Sequence, residues 1–389
     1  MSKSTNKKFL SVISVLALTL SGQVNADLMG SFIDNSNAQA HISAGNGDGS
    51  LSPGDAVDNL VDANNSSSRF TGVVSLNPIR GGSSYICTGT AISSYHILTA
   101  AHCVDSDGTG NVLDINNSAS GDDMNVFFNA SSTRSDEQWG VESITMHPDY
   151  DGFNICPNGS GGCVNDDIAI IKLNQPIPGD VEIYDFYNQQ VWDTFNNTNY
   201  YSTPTNGDIF TMVGYGTKGD GYNGYTEGPD FFEKLAGANI VDAFDLDDEG
   251  NGSAEVWYAD FDGNYTDVDG SLGNSGDVYA FDHFCDNYGI CSSWLQEGVE
   301  NNIGGGDSGG PSFVYDAIND KYLLAGINTF GARSSPTGKA GAYGELFGGI
   351  LTNAYSSWIS QNSQVTGPAT IVLFGLALTG LVSTRRKLK

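Results

Sequence analysis

The chain has 389 residues, 50 of them glycine, and a formal net charge of −30. That length allows one or two domains with a full core, and glycine together with abundant Asn, Asp and Ser points to a turn-rich β protein. All 46 acidic residues lie between Asp27 and Glu345, a stretch holding only nine of the 16 basic ones. A field of that sign repels nucleic-acid phosphates and anionic lipid, so neither is an expected partner, and the acidity reads as a solubilising surface.

In chain order, Lys3, Lys7 and Lys8 precede the apolar run Phe9 to Leu20, followed by Val24-Asn25-Ala26. Residues 1–26 therefore read as a secretory signal cut by signal peptidase, and the run is too short for a permanent span. Residues 27–68 are polar with little apolar periodicity and read as a leader or propeptide. Within them, Asn46-Gly47-Asp48-Gly49-Ser50 with Asp55 is like part of a calcium loop, but Ala44 stands where a first ligand should be. Asp245-Leu246-Asp247-Asp248-Glu249-Gly250 is similar and has Val256 in place of the closing Glu, so an acidic solvated loop is the preferred reading. Calcium is the one cofactor with any trace in the sequence; none is required.

From Phe70 the pattern changes to short strands, Val73 to Leu76, Ala91-Ile92, Phe127-Phe128 and Val141 to Met146. Three stretches carry the chemistry. Leu98-Thr99-Ala100-Ala101-His102-Cys103 sets a histidine after small residues. Asp167 heads the apolar strand Ile168 to Leu173. Gly304-Gly305-Gly306-Asp307-Ser308-Gly309-Gly310-Pro311 embeds a serine in glycines, which permit a tight turn and leave backbone N–H groups free beside the hydroxyl. Ser308 needs a base to take its proton, and His102, with an ordinary pKa near ~6.5, can accept and return one at neutral pH. His96 and His147 read as structural or surface residues, and nothing assigns a role to His41 or His283.

The chain order His, Asp, Ser, with these flanking residues, resembles the trypsin/chymotrypsin family of serine endopeptidases. The resemblance runs from about Phe70 to Gln361, with His147-Pro148-Asp149-Tyr150, Asn174-Gln175-Pro176-Ile177 and Met212-Val213-Gly214-Tyr215-Gly216 as further matches. It implies an all-β fold of two six-stranded antiparallel barrels with a short C-terminal helix over Ala354 to Ile359, and a protease domain over 69–361. It implies a triad of His102, Asp167 and Ser308. Asp167 is preferred to Asp166 because the family's aspartate immediately precedes its Ile-Ala strand, and a one-residue shift would turn the carboxylate to the other face. An oxyanion hole of the Gly306 and Ser308 N–H groups is implied, and a primary pocket of Asn302, Thr329, Phe330, Gly331 and Gly341. Asn302 as a neutral base, and Gly331 and Gly341 as open walls, favour large apolar or uncharged side chains; Glu297 or Glu300 swinging in would favour basic ones.

The six cysteines of an exported chain suggest three disulfides. The pair Cys87–Cys103 follows from the family's histidine loop, whereas Cys156–Cys163 and Cys285–Cys291 rest on proximity in sequence. Family members are switched on by a cut whose new terminus pairs with the aspartate before the serine, here Asp307. No basic residue precedes the matching region, Leu60 to Ala63, so a trypsin-like cut is not expected; another protease would cut between 56 and 64, or other donors hold Asp307. Finally, Gly367-Pro368 followed by the apolar run Ile371 to Val382 and Arg385-Arg386-Lys387 resembles a PEP-CTERM sorting signal within residues 362–389. That resemblance implies an exosortase-like processing partner and a cell-surface or extracellular location, with a plain tail anchor as the alternative. The overall expectation is a secreted serine endopeptidase acting on proteins or peptides; the other class is an idle protease fold that binds at a surface.

Overall fold

The computed structural model describes residues 41–44, 61–62, 68–128, 138–156, 161–188, 209–248, 253–262, 282–288, 295, 300–332 and 338–364. The expected signal segment, the 46–55 loop and nearly all of the expected sorting segment lie outside them.

The first half is a closed barrel. Val73–Arg80 pairs with Cys87–Ser93, which pairs with His96–Thr99, and the ladder continues through Ala169–Leu173, Gln138–Met146 and Asp123–Phe127. Asp123–Phe127 then returns to Val73–Arg80, so six antiparallel strands close with no edge between them. Val73, Val74, Ser75 and Leu76 are buried in succession rather than alternately. One face fills the barrel, and the other is covered by the second half: Ser75 Oγ donates to the Phe231 carbonyl at 2.7 Å, and Tyr215 Oη donates to that of Val73 at 3.1 Å. The interior holds Leu76, Ile97, Leu98, Val126, Ile170 and Leu173, and burying each is worth roughly 1.5–3 kcal/mol.

The second half holds a large antiparallel sheet and a smaller four-stranded sheet in the order Gly224–Glu227, Lys218–Asp220, His41–Ala44 and Asn301–Gly304; the large sheet carries the site. Its six main strands run in the order Ala254–Asp260, Leu346–Leu351, Lys321–Ala332, Pro311–Asp316, Ile209–Gly214 and Lys234–Ile240, flanked by Ala243–Leu246 and Val61–Asp62. The two outer main strands are joined by a side chain: Asn239 Nδ2 donates to the Asp260 carbonyl and to that of Asn301, both at 2.8 Å. Trp257 anchors the apolar side, edge-on to Phe210 at 5.2 Å and Phe347 at 6.0 Å. The helix Ser356–Asn362 closes the chain against the first half, where Trp358 and Tyr355 pack edge-on to His147. The fold is thus mostly β with a short C-terminal helix, as expected. Among the described residues, no helix is long and apolar enough to cross a membrane.

Two pieces of the expected loose leader are strands. Val61–Asp62 pairs with Leu235 and Lys234, and His41–Ala44 runs antiparallel to Asn301–Gly304. For the first the cause is electrostatic. Lys234 has no exposed surface, so its ammonium requires a counter-charge, and Asp62 Oδ2 lies 3.0 Å from Nζ, which also donates to the Phe70 carbonyl at 2.6 Å. Burial lowers the Lys234 pKa, and Asp62 opposes that shift.

Candidate active site

His102 sits on the one-turn 3-10 helix Ala101–Cys103 at the end of the strand His96–Thr99, and Asp167 lies just ahead of the neighbouring strand Ala169–Leu173. Strand pairing therefore delivers both residues to one end of the barrel. Asp167 Oδ2 accepts from His102 Nδ1 at 2.6 Å and Oδ1 accepts from the His102 amide at 2.7 Å. The two bonds fix the carboxylate's plane and hold Nδ1 as the protonated nitrogen, leaving Nε2 as the basic one. Asp167 is fully buried, whereas the His102 side chain keeps 19% exposure, so its ring edge faces solvent. Phe153 packs against that ring at 4.7 Å and belongs to the same apolar cluster as Phe330.

The residue before Asp167 explains its placement. Asp166 has φ +60°, a left-handed conformation that costs a non-glycine residue ~1–2 kcal/mol. Its amide donates to Tyr355 Oη at 2.7 Å and to Glu255 Oε1 at 3.1 Å, and Tyr355 Oη also bonds Glu255 Oε1. Asp166 Oδ1 stands 2.9 Å from His147 Nδ1, an ion-pair distance without hydrogen-bond alignment. His147 is thus a structural partner, and His96, buried against Ser93 Oγ at 2.7 Å, is another. Burial lowers the His96 pKa, with Lys172 assisting.

Ser308 reaches the site from the second half. Its carbonyl accepts from the Thr88 amide at 2.8 Å and lies 3.5 Å from Cys103 Sγ, a disulfide sulfur with no proton to give, so its backbone packs against the residue following His102. Thr88 Oγ1 donates to the Gly306 carbonyl at 2.7 Å and accepts from the Tyr215 amide at 3.2 Å, clamping the serine turn to the first barrel. Gly309 has φ +81°, and a Cβ there would stand 2.0 Å from Thr99 Oγ1, so only glycine fits. Within the turn, the Asp307 amide donates to Gly304 and that of Gly310 to Asp307. Among the described residues, the Gly306 and Ser308 amides have no hydrogen-bond acceptor. No hydrogen bond joins Ser308 Oγ to His102 Nε2 in the structure, and such bonds commonly tighten only when substrate is bound.

Asp307 is fully buried; Oδ1 accepts from the Gly216 amide at 2.8 Å and Oδ2 from that of Gly304 at 2.7 Å. Asn302 is also fully buried, with Nδ2 donating to Glu345 Oε2 at 3.2 Å. That same oxygen accepts from Tyr225 Oη and the Gly341 amide. The Tyr225 ring fills the space over Gly341, where a Cβ would meet Cε1 at 2.1 Å. This wall was expected to be open, and in the structure it is covered. Phe330 and Thr329 are both buried on the strand Lys321–Ala332, which Gly331 also lines. Thr88, Asp166, Glu255, Tyr225 and Glu345 have no sequence signal: each acts through a partner far away in the chain.

Cys87–Cys103 and Cys156–Cys163 are disulfides, and Cys285 is also disulfide-bonded, while Cys291 lies outside the described residues. Glu297 lies outside them as well. Glu300 accepts from the Asp262 and Leu295 amides and is not in the pocket wall. In the other calcium-like loop, Asp245 is largely buried, which pushes its carboxyl up to about 6, and not freely solvated as expected.

A closed antiparallel barrel beside a second antiparallel sheet, with a buried Asp–His pair and a Gly-Asp-Ser turn between the halves, is the chymotrypsin-like architecture. Comparison with protein families agrees: the family model described as Trypsin matches residues 59–228. That match supports a trypsin/chymotrypsin-like serine protease. The match takes in His102 and Asp167 and ends ahead of Ser308.

Proposed function

We propose that the protein is an exported serine endopeptidase that cleaves peptide bonds through an acyl-enzyme intermediate. The observation that carries this reading is the Asp167–His102 pair, bonded at both the ring and the backbone, with the Ser308 backbone packed against Cys103. In the forward step Ser308 Oγ attacks the substrate carbonyl while His102 Nε2 takes its proton, and Asp167 stabilises the imidazolium without itself being protonated. The Gly306 and Ser308 amides, having no acceptor among the described residues, are available to the oxyanion. Each such donor is worth roughly 3 kcal/mol in the transition state. His102 then gives its proton to the leaving amine, and water enters to release the acyl group by the reverse sequence.

Disulfides fit an extracellular life. The N-terminal segment, as a signal for signal peptidase, and the C-terminal segment, as a PEP-CTERM-like signal for an exosortase-like enzyme, belong to the same proposal. Deleting residues 367–389 is expected to release the protein into the medium, and unchanged location would make the tail inert. The decisive experiment is labelling with a serine-directed organophosphonate. Adduct on Ser308, lost in Ser308→Ala, is the expected result; no adduct on folded, matured protein overturns the endopeptidase reading in favour of a fold that only binds.

A further inference from the structure

Five carboxylates from separate parts of the second half meet in its interior. Asp242 follows the strand Lys234–Ile240, Asp260 ends the strand Ala254–Asp260, and Asp262 lies two residues on. Asp282 precedes the helix His283–Tyr288, and Glu300 precedes the strand Asn301–Gly304. All five are buried, none with more than 8% exposure. Carboxylate oxygens of Asp260, Asp262 and Asp282 lie within 4.8 Å of one another.

Among the described residues, no cationic side chain is paired with them. The sequence has no Lys or Arg between Lys234 and Lys321. The described cations are engaged elsewhere, Lys234 with Asp62, Lys218 with Glu233, Lys321 with Asp185 and Lys339 with the Tyr222 carbonyl. Backbone amides satisfy part of the group: Asp260 Oδ2 accepts from those of His283 and Phe284, and Glu300 from Asp262 and Leu295.

Two oxygens have no such support. Asp262 Oδ1 has no hydrogen-bond partner among the described residues, although the residue is only 7% exposed, and neither has Asp260 Oδ1. A buried carboxylate without a donor costs several kcal/mol if ionised. Natural interiors avoid such groups unless something absent from the protein chain completes them.

The donor set is all oxygen and rich in carboxylate, with no thiolate among the three converging residues. Hard cations select such sites, and calcium, which takes ~6–8 oxygens at ~2.3–2.6 Å in flexible geometry, suits a cluster gathered from loops and strand ends. We propose that Asp260, Asp262 and Asp282 bind a calcium ion, with Asp242 and Glu300 beside it, and that the ion ties the helix His283–Tyr288 and the strand Asn301–Gly304 to the second sheet. The site is neither of the two loops with calcium-like spacing, and its ligands are too far apart in sequence to form a motif. Its position gives it a role. Glu300 and Asn301–Gly304 lead directly into Gly305 to Ser308, so an ion here would brace the strand that presents the serine turn.

The test uses the full chain carrying Ser308→Ala, which prevents self-digestion, stripped with chelator and titrated with calcium chloride by calorimetry and thermal unfolding. Calcium uptake with a rise in Tm is expected, and Asp262→Asn should lose one equivalent of binding or weaken it at least tenfold. Without calcium, Asp262→Asn should melt above its parent, because it removes an unsupported buried charge. Asp247, Asp248 and Glu255 also converge, so Glu255→Gln is the control, expected to retain the equivalent that Asp262→Asn loses. Should Asp262→Asn not fold, hydrogen exchange on the parent decides, with calcium-dependent protection expected in 254–262, 283–288 and 301–304. No uptake at millimolar calcium, uptake undiminished in Asp262→Asn, or protection confined to other segments overturns the proposal.

Discussion

The Gly216 amide points at the carboxylate of Asp307 from 2.8 Å, and the space beside Gly216 is so tight that a Cβ there would stand 2.2 Å from Asp307 Oδ2. Gly216→Ala is therefore a probe of how Asp307 positions the serine turn. The expected result is a loss in kcat of roughly 10²-fold, the usual consequence of a small misplacement of reacting groups, with the fold retained. Turnover of a peptide substrate alongside circular dichroism checks it; unaltered kcat would show that Asp307 does not control the turn.

Asp307 also bears on maturation. With backbone donors from Gly216 and Gly304 on its two oxygens, the carboxylate has support that does not depend on a new chain terminus. N-terminal sequencing of the active enzyme is expected to find a start other than Phe70. A start at Phe70, after the basic site Arg69, would contradict this.

Replacing members of the reacting group one at a time and together tests whether they act as a unit. Ser308→Ala and His102→Ala should each lower kcat on the order of 10⁶-fold, and the double variant should be no worse than either. Thermal unfolding should be little changed by Ser308→Ala, since its side chain makes no hydrogen bond in the fold. Wild-type turnover in Ser308→Ala would refute the assignment.

Glu255 predicts a pH dependence of stability. Burial first, then Asp166, pushes its carboxyl up to about 8 from an ordinary 4.5. The folded state therefore binds this proton more tightly than the unfolded chain does. The stability it contributes is full below the unfolded value, declines as pH rises from about 4.5, and is gone above about 8, with a slope of up to ~1.4 kcal/mol per tenfold fall in proton concentration. Denaturant unfolding at several pH values, compared with Glu255→Gln, reads it; the variant should be flatter across that window. An equal slope in both proteins would remove Glu255 as the cause.

Tyr225 makes a prediction about selectivity. Its ring covers Gly341 and its hydroxyl reaches Glu345, which also binds Asn302 at the base. Tyr225→Ala should raise kcat/KM for substrates with large side chains by roughly 10-fold, the scale on which pocket volume discriminates. Profiling on a mixed peptide library measures this. A strict Arg or Lys preference in the parent would mean that Glu345, rather than the neutral Asn302, sets the charge of the pocket.

Local pattern made much of this legible. His102 and Ser308 stand in glycine- and alanine-rich surroundings that a close backbone approach requires, and Asp167 could be separated from Asp166 by the family's placement of its aspartate directly before the Ile-Ala strand. Strands such as Ala169–Leu173 show as short apolar runs. What pattern could not show are relationships between residues remote in sequence. Lys234 draws Asp62 out of an otherwise featureless leader because a buried ammonium must be matched. Asp166 adopts a left-handed backbone because Glu255 and Tyr355, some 90 and 190 residues onward, hold its amide. The open pocket failed as an expectation because the occupant of the space over Gly341 comes from a different hairpin.

The bond from Thr88 to Ser308 spans 220 positions of chain. The Asp167–His102 pair needs only the first barrel, complete at Leu173, but the serine turn has no anchor until the strand Pro311–Asp316 and its neighbours have docked. Contacts of such sequence separation form late in folding, because a long loop must close first. Under the proposed function, a partly folded chain would therefore be chemically harmless: its base would be assembled early, its nucleophile would stay out of register, and hydrolytic competence would arrive only with the finished fold.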